Sequence, residues 1–163
     1  CDTDFVGMDG IRGGRYPDAA ALAAAIATEW GGAEPARRFV VLTGGEPLLQ
    51  VDAALIDALH GEGFTVAVET NGTIAPPPGL DWICVSPKGN NPLAITAGDE
   101  LKLVYPQPDA PPERFAHLAF ARFSLQPMDG PELAANTART VAYCLAHPRW
   151  QMSVQTHKTL GIR

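Results

Sequence analysis

Short runs of apolar residues, many of them β-branched, recur along the chain and predict the strands of a sheet. Six runs stand out, at residues 39–42, 65–68, 82–85, 101–104, 118–125 and 152–155. Most are near-continuous rather than alternating, which is typical of strands that helices cover on at least one face. The pattern therefore predicts about six strands in a largely buried sheet.

Helix-like segments lie between several of these runs. The first is predicted from Pro17 to Trp30, where an alanine-rich stretch follows a proline that is well tolerated in a first helical turn. Residues 47–60 and 131–146 predict two further helices. Because strands and helices recur in the order β-α-β, we expect the sheet to be mainly parallel.

Two connections are too rich in proline to hold a helix. Residues 73–79 include a run of consecutive prolines, and residues 107–114 leave room for one short turn at most. The full set of elements therefore falls short of a complete barrel. We expect an α/β fold, a partial (incomplete) β/α barrel of about six mainly parallel strands, in a single domain that spans residues 1–163.

Length and charge narrow the functional classes. The chain has 163 residues, of which 46% are hydrophobic, and this is enough for one domain with a substantial core. No apolar run approaches the roughly 20 residues of a membrane span, so no membrane partner is expected. The net charge of −6 argues against binding to a nucleic-acid backbone, which requires clustered Lys and Arg.

The cysteines are Cys1, Cys84 and Cys144, an odd number without a closely spaced pair. This favours a reducing compartment, and we expect a cytoplasmic location. Cys84 lies in an apolar run and Cys144 in a helical pattern, so both are expected to pack in the interior. Cys1 has polar neighbours instead. Since the chain begins with Cys rather than Met, we expect further residues upstream.

Polar and glycine-rich clusters follow every predicted strand. The clusters are Thr43-Gly44-Gly45-Glu46-Pro47, Glu69-Thr70-Asn71-Gly72, Ser86-Pro87-Lys88, Tyr105-Pro106-Gln107, Gln126-Pro127-Met128-Asp129 and Thr156-His157-Lys158. In a parallel β/α sheet the carboxyl ends of the strands share one face, and that face carries the active site. Their convergence favours an enzyme.

Each cluster also has a purely structural interpretation. Gly44 and Gly45 are compatible with a tight turn, Asn71 and Gly72 form a common turn pair, and Lys88 could be a solvated loop residue. Several familiar signatures are missing from the sequence, among them a phosphate-binding P-loop, a dinucleotide-binding glycine motif, a nucleophile elbow and a His-Glu-x-x-His motif.

Taken together, the clusters resemble a known enzyme family. The segment Thr43-Gly44-Gly45-Glu46-Pro47-Leu48 is similar to the Gly-Gly-Glu-Pro motif of radical S-adenosylmethionine (SAM) enzymes. Combined with Glu69-Thr70-Asn71-Gly72, Ser86-Pro87-Lys88 and Gln126-Pro127-Met128-Asp129, in this order, it resembles the 7-carboxy-7-deazaguanine synthase family. The opening Cys1-Asp2-Thr3 is similar to the end of that family's cluster loop.

The resemblance implies roles for individual residues. It places Cys1 on a 4Fe–4S cluster, Thr3 on Mg2+ and Thr43 at the substrate. It also places the C-terminus at the substrate, where His157 and the carboxylate of Arg163 are candidate ligands. The residues implied to line SAM are Gly45, Ser86, Pro87, Lys88, Gln126, Pro127, Met128 and Asp129, with Glu69 as an additional candidate.

The implied reaction is the radical ring contraction of 6-carboxy-5,6,7,8-tetrahydropterin to 7-carboxy-7-deazaguanine with loss of ammonia, a lyase step of queuosine-type biosynthesis. The implied cofactors are a 4Fe–4S cluster, SAM and Mg2+, and the implied partners are the pterin, an electron donor such as flavodoxin and a second copy in a homodimer.

The sequence departs from the family in one respect, because a cluster needs three thiolates here and two of the cysteines are absent. We expect them upstream. A glycyl-radical activase, which would act on a protein, and a cluster-free α/β ligand-binding module are the alternatives.

Overall fold

A computed structural model describes residues 13–30 and 38–161. Cys1, Thr3 and Arg163, to which the resemblance gives roles, lie outside the described residues. The helices are α1 (Ala19–Trp30), α2 (Ala53–Gly61), α3 (Leu133–Ala146) and α4 (Thr156–Leu160). The strands are β1 (Phe39–Leu42), β2 (Thr65–Thr70), β3 (Trp82–Val85), β4 (Ala97–Tyr105), β5 (Ala119–Pro127) and β6 (Trp150–Met152).

The strands form one open sheet with the order β1-β2-β3-β4-β5-β6. The described registers pair β1 with β2, β3 with β4, β4 with β5 and β5 with β6, and all four pairs are parallel. The longest pairing runs from Ala97 opposite Ala119 to Tyr105 opposite Pro127. The prediction of an α/β fold with six parallel strands is therefore confirmed.

Contacts between residues divide the chain into two compact units. Within the described residues, unit 1 comprises 13–30, 38–70 and 74–83, and unit 2 comprises 71–73 and 84–161. The single domain 1–163 stays a prediction. Each unit has apolar side chains of its own in its interior, and each is described separately below.

The interior of unit 1 forms where α1 and α2 pack near β2. Ala23 of α1, Leu55 and Leu59 of α2, and Phe64 and Val66 make up one buried cluster. Trp30 packs at the edge of this cluster, with its ring 6.0 Å from that of Phe64 in an edge-to-face arrangement. Because α1 is rich in alanine, it can pack closely against this cluster, and Ala23 is only 1% exposed.

The interior of unit 2 is built from β4 and β5. Leu101, Leu103 and Leu125 are fully buried. The ring of Phe123 lies 5.1 Å from that of Trp150, and the guanidinium of Arg149 lies 4.1 Å from the centre of the same Phe123 ring. β6 is thereby anchored on β5 through its first residue.

Two predicted elements differ from the structure in kind or position, whereas β4 and β5 differ from their apolar runs only in length. Residues 47–60 do not form one helix but a 3-10 turn, Pro47–Leu49, followed by α2, because the Asp52 side chain accepts a hydrogen bond from Leu55 N (2.9 Å) and starts a new helix. The last strand is Trp150–Met152 rather than 152–155, because it is the Trp150 ring that packs into the interior.

The proline-rich connections and the burial of Cys84 agree with the expectations. Within the described residues, 71–81 contain no helix, and 107–114 contain one short 3-10 turn, Pro112–Arg114. Cys84 is buried and Cys144 is half-buried, and burial raises the pKa of the Cys144 thiol. None of the helices in 13–30 and 38–161 is long and apolar enough to span a membrane.

Candidate functional site

In unit 1 the Gly-Gly-Glu-Pro segment directly follows β1. Gly44 adopts a positive φ of 93°, which turns the chain out of the strand and is easily adopted only by glycine. The turn leaves Thr43 and Gly45 exposed, while Pro47 is buried. The exposed backbone at Gly45 is thus accessible to a ligand.

The carboxylate of Glu46 ties the ends of β1 and β2 together. Its Oε1 accepts a hydrogen bond from Leu48 N (3.1 Å), which caps the 3-10 turn, and another from Thr70 Oγ1 (2.7 Å). Thr70 is the last residue of β2 and is 3% exposed. Glu69, the residue before it, is half-buried inside the strand rather than beyond its end. The sequence pattern gave no role to Thr70.

In unit 2 the segment Ser86-Pro87-Lys88 follows β3 directly. Pro87 is fully buried and Ser86 half-buried, while Lys88 is exposed. Lys88 Nζ donates a hydrogen bond to Ser86 Oγ at 3.2 Å. A buried proline thus anchors a short segment that presents a hydroxyl and an ammonium group side by side.

The Asn71-Gly72 pair makes a turn that packs against the end of β3. Gly72 has a φ of 80°, and a Cβ built on it would lie 2.5 Å from Val85 Cγ1. Its carbonyl accepts hydrogen bonds from Ala94 N (2.8 Å) and Ile95 N (3.2 Å). Both the turn conformation and the lack of space explain why glycine stands here.

Gln126 and Pro127 are the last residues of β5, and Met128 and Asp129 follow it. The Met128 peptide is fixed at both ends, because its N–H donates to Tyr105 O (2.7 Å) and its carbonyl accepts from Asn136 Nδ2 (3.0 Å). Asn136 lies on α3 and is 4% exposed. The loop after β5 is therefore held by the end of β4 and by α3.

Asp129 joins this loop to α4. Its carboxylate accepts a hydrogen bond from Lys158 and another from Gly130 N (2.9 Å). These contacts, that with Lys158 foremost, hold the pKa of Asp129 below its usual range. His157 is exposed and follows the end of β6 by five residues, inside α4, so it does not stand at the strand end as expected.

The loop after β4 contains side chains with defined contacts that the sequence pattern did not identify as candidate site residues. Gln107 Oε1 accepts a hydrogen bond from Gly89 N (3.3 Å), while its Nε2 is buried without a partner. Gln107 also lines a cavity of about 210 Å3 together with Tyr105, Glu113, Tyr143 and four prolines. Tyr143 donates to Glu113 (2.8 Å), and burial above all raises the pKa of its hydroxyl. No sequence motif signals these contacts.

Two proteins with high sequence identity to this chain carry the same name. Over 163 residues the chain is 68% identical to the 7-carboxy-7-deazaguanine synthase of Bradyrhizobium diazoefficiens, covering all of this chain and 77% of that protein. It is 65% identical, over 99% of its length, to the same-named protein of Bordetella pertussis, again covering 77% of the relative. The chain belongs to the 7-carboxy-7-deazaguanine synthase family. It is accordingly a radical SAM lyase of 7-deazapurine biosynthesis.

A solved structure of the 7-carboxy-7-deazaguanine synthase family supports this assignment. QueE from Escherichia coli superposes with a TM-score of 0.67 at 29% identity, over 85% of this chain and 63% of that chain. No family model matches the chain.

The described residues suit the SAM that a radical SAM enzyme requires. The donor set of unit 2 includes the Lys88 ammonium group and the Ser86 hydroxyl, which match a carboxylate, and in unit 1 the exposed Gly45 backbone is accessible to an ammonium group. Across 13–30 and 38–161, no group of three or more His, Cys, Asp or Glu side chains is arranged to hold a metal ion. Cys1 and Thr3 are not among these residues.

Proposed function

We propose that the chain catalyses the ring contraction of 6-carboxy-5,6,7,8-tetrahydropterin to 7-carboxy-7-deazaguanine with release of ammonia. The observation that carries the proposal is the sequence identity of 62–68%, across essentially the whole chain, to proteins named 7-carboxy-7-deazaguanine synthase. The order of the polar loops after successive parallel strands, where β/α enzymes bind their ligands, supports it.

In this proposal the chain's own residues bind and orient SAM. Lys88 and Ser86 receive its carboxylate, the Gly45 backbone receives its amino group, and Glu69 takes the ribose hydroxyls. Pro87 and the segment Gln126-Pro127-Met128-Asp129 line the remaining surface. Thr43, His157 and the terminal carboxylate of Arg163 contact the pterin.

We further propose that Cys1 ligates a 4Fe–4S cluster and that Thr3 supplies an oxygen to Mg2+, a hard ion suited to such ligands. When bound, the cluster and SAM supply the one-electron chemistry that starts hydrogen abstraction. The protein's contribution is to position the reacting groups and exclude water.

The proposed partners are the pterin, a flavodoxin-type electron donor and a second copy of the chain in a homodimer, without nucleic acid or membrane. The proposed location is the cytoplasm. The odd number of cysteines supports the cytoplasmic location, and the net charge of −6 argues against binding to nucleic acid.

Product formation tests the proposal directly. Anaerobically reconstituted full-length protein, given SAM, Mg2+, a reductant and the pterin, is expected to form 7-carboxy-7-deazaguanine and ammonia in equal amounts, as followed by mass spectrometry and an ammonia assay. Lys88→Met is expected to weaken SAM binding by roughly 1.5–3 kcal/mol, the range for a lost hydrogen bond to a charged group. A protein with a full complement of iron and sulfide that forms no product would overturn the assignment.

The cysteines offer a matched comparison for the cluster. Cys1→Ala is expected to abolish iron binding. Cys84→Ala and Cys144→Ala are expected to retain iron, because these thiols are buried or half-buried and not clustered with other ligands in the described part of the chain. Full iron content in Cys1→Ala would contradict the proposed ligand.

A further inference from the structure

The peptide that follows Lys88 is gripped from both sides by the loop after β4. Gly89 adopts a left-handed φ of 54°, and a Cβ on it would meet nothing within 4 Å, so neither packing nor crowding fixes its conformation. Its N–H donates to Gln107 Oε1 at 3.3 Å, and its carbonyl accepts from Arg114 Nη1 at 3.1 Å. The conformation is therefore held by hydrogen bonds from outside the segment.

Arg114 extends this grip over the next residues. Nη1 also donates to Asn90 Oδ1 (3.1 Å), and Nη2 lies 3.4 Å from the carbonyl oxygens of both Asn90 and Asn91. A further bond to Asp109 O, at 3.0 Å, fixes the guanidinium to its own loop. The planar guanidinium of arginine presents up to five N–H donors in a fixed geometry, whereas lysine has three on a single rotatable ammonium group.

Arg114 is itself held in a defined orientation. It is the last residue of the 3-10 turn Pro112–Arg114, and its guanidinium lies 5.1 Å from the ring centre of Phe115, which is 2% exposed. Pro111 and Pro112 restrict the backbone that leads into the turn. The donor is therefore preorganised, as a residue that orders another loop must be.

We infer that Arg114 and Gln107 are positioning residues that set the placement of the Lys88 ammonium group for cofactor binding. The inference rests on the proposed role of Ser86-Pro87-Lys88 in binding SAM. Lys88 immediately precedes Gly89, so the backbone held by Arg114 and Gln107 sets where the Lys88 side chain starts, beside the Ser86 hydroxyl to which its ammonium group donates. If this loop is already ordered in the free protein, SAM binding does not carry the entropic cost of ordering it, and the affinity for SAM is higher.

Arg149 provides a matched control within the same unit. Its guanidinium also donates to backbone carbonyls, those of Ala116 (2.6 Å) and Leu118 (3.4 Å), and lies 4.1 Å from the Phe123 ring centre. These carbonyls precede β5, whereas Ser86-Pro87-Lys88 follows β3. Arg149→Met thus removes a comparable set of contacts away from the Lys88 segment.

Hydrogen exchange of the intact protein tests the grip itself. Arg114→Met is expected to speed amide exchange at Gly89 and Asn91 by at least about tenfold, because their N–H groups donate to Gln107 Oε1 and Lys88 O and these bonds open more often once the loop loses its contacts to Arg114. Arg149→Met is expected to leave exchange there unchanged. Arg114→Lys, which keeps one cation but not the fork, is expected to fall between wild type and Arg114→Met. Unchanged exchange at 89–91 in a folded Arg114→Met protein would overturn the inference.

Calorimetric titration of reconstituted protein with SAM tests the consequence. Arg114→Met and Gln107→Met are each expected to raise the Kd for SAM about tenfold, with the pterin KM at saturating SAM unchanged. The double variant is expected to lose less than the product of the single effects, because both side chains hold the same peptide. Arg149→Met is expected to lower Tm without changing either constant.

The variant Lys88→Met separates the two proposals. If it leaves the Kd for SAM unchanged, the proposed role of Ser86-Pro87-Lys88 fails and the positioning role fails with it. If Lys88→Met raises the Kd while Arg114→Met does not, only the positioning role is wrong. If both raise it and the pterin KM stays constant, the inference stands.

Discussion

At the scale of single residues, Gly72 and Gly63 illustrate two different reasons why a position requires glycine. Both have a φ of 80°, but a Cβ at Gly72 would lie 2.5 Å from Val85 Cγ1 and 3.1 Å from Leu93 Cδ2, whereas at Gly63 the nearest atom is 4.0 Å away. The same backbone strain thus occurs once with crowding and once without. Crowding forces neighbouring side chains to move, and this has its own energetic cost.

We therefore expect Gly72→Ala to lower the free energy of unfolding by about 2–5 kcal/mol, the sum of the left-handed conformation and overpacking. Gly63→Ala is expected to lower it by about 1–2 kcal/mol, from the conformation alone. Urea denaturation followed by circular dichroism measures both. Equal losses for the two variants would show that Val85 and Leu93 move aside freely.

A second residue-scale prediction concerns acid stability. Asp81 Oδ2 accepts from Val66 N (2.7 Å) and lies 2.9 Å from His60 Nε2, and the Val66 bond is the main cause that lowers the pKa of Asp81. A lowered folded pKa means that the stabilisation is present above the unfolded pKa, about 3.9, and is lost as the pH falls through the folded value.

Asp81→Ala is accordingly expected to reduce the free energy of unfolding by about 1 kcal/mol at pH 7, mainly because Val66 N–H loses its side-chain acceptor. The difference from wild type is expected to shrink below about pH 3. Asp57, exposed on α2, supplies the control Asp57→Ala. A difference that stays constant from pH 7 to pH 3 would contradict the titration of Asp81.

At the scale of elements, α4 depends on a neighbour. It has five residues, too few to be stable alone, and the Lys158–Asp129 pair connects it to the loop after β5. The ion pair is formed above the unfolded pKa of Asp129 and is lost as the pH falls, because Lys158 holds the folded pKa below that value. The short helix should therefore release in acid.

We expect Lys158→Met to increase amide exchange across residues 156–161 at pH 7, while Lys158→Arg retains most of the protection. Helix α3 is expected to exchange at the wild-type rate in both variants. In the wild type, protection of 156–161 should decline as the pH is lowered towards 3, after correction for the intrinsic exchange rate. Protection of α4 that is insensitive to both changes would show that the ion pair does not dock it.

Most elements could be predicted from the sequence, because burial patterns act locally. β1 and β3 match their apolar runs residue for residue, and the proline-rich segments hold no long helix, as the prolines predict. The predicted bounds are wrong where a single side chain determines where an element begins. Asp52 begins a new helix inside an apparently continuous pattern, and Trp150 shifts β6 by packing its ring on Phe123.

The candidate site could also be predicted only in part. Loops after strands could be predicted, since a parallel sheet aligns their ends, and the segments at Gly45, Lys88 and Asp129 do follow β1, β3 and β5. The contacts that hold those loops could not. Arg114 reaches Asn90 across 24 positions, and Thr70 reaches Glu46 across the same interval, so only the folded chain brings them together.

At the scale of the whole molecule, ligand binding should be measurable as stability. A ligand that binds only the folded state adds about 2.7 kcal/mol when present at 100 times its Kd. We expect SAM at that concentration to raise the Tm of the reconstituted wild type by roughly 5–10 °C, given the usual scaling for a chain of this size. At the same SAM concentration Lys88→Met should shift less. Equal shifts in both proteins would argue that Lys88 does not contact SAM.

The indole rings provide one further use of the fold. Trp30 reports on unit 1, through its edge-to-face contact with Phe64, and Trp150 reports on unit 2, through Phe123 and the nearby Arg149 cation. Trp82 also lies in unit 1. Replacing both Trp30 and Trp82 by Phe leaves Trp150 as the reporter of unit 2, and replacing Trp150 by Phe leaves only reporters of unit 1. Fluorescence melting curves of these two variants therefore follow the units separately. Coincident curves would mean that they unfold in one cooperative transition, and separated curves would identify which unit is lost first.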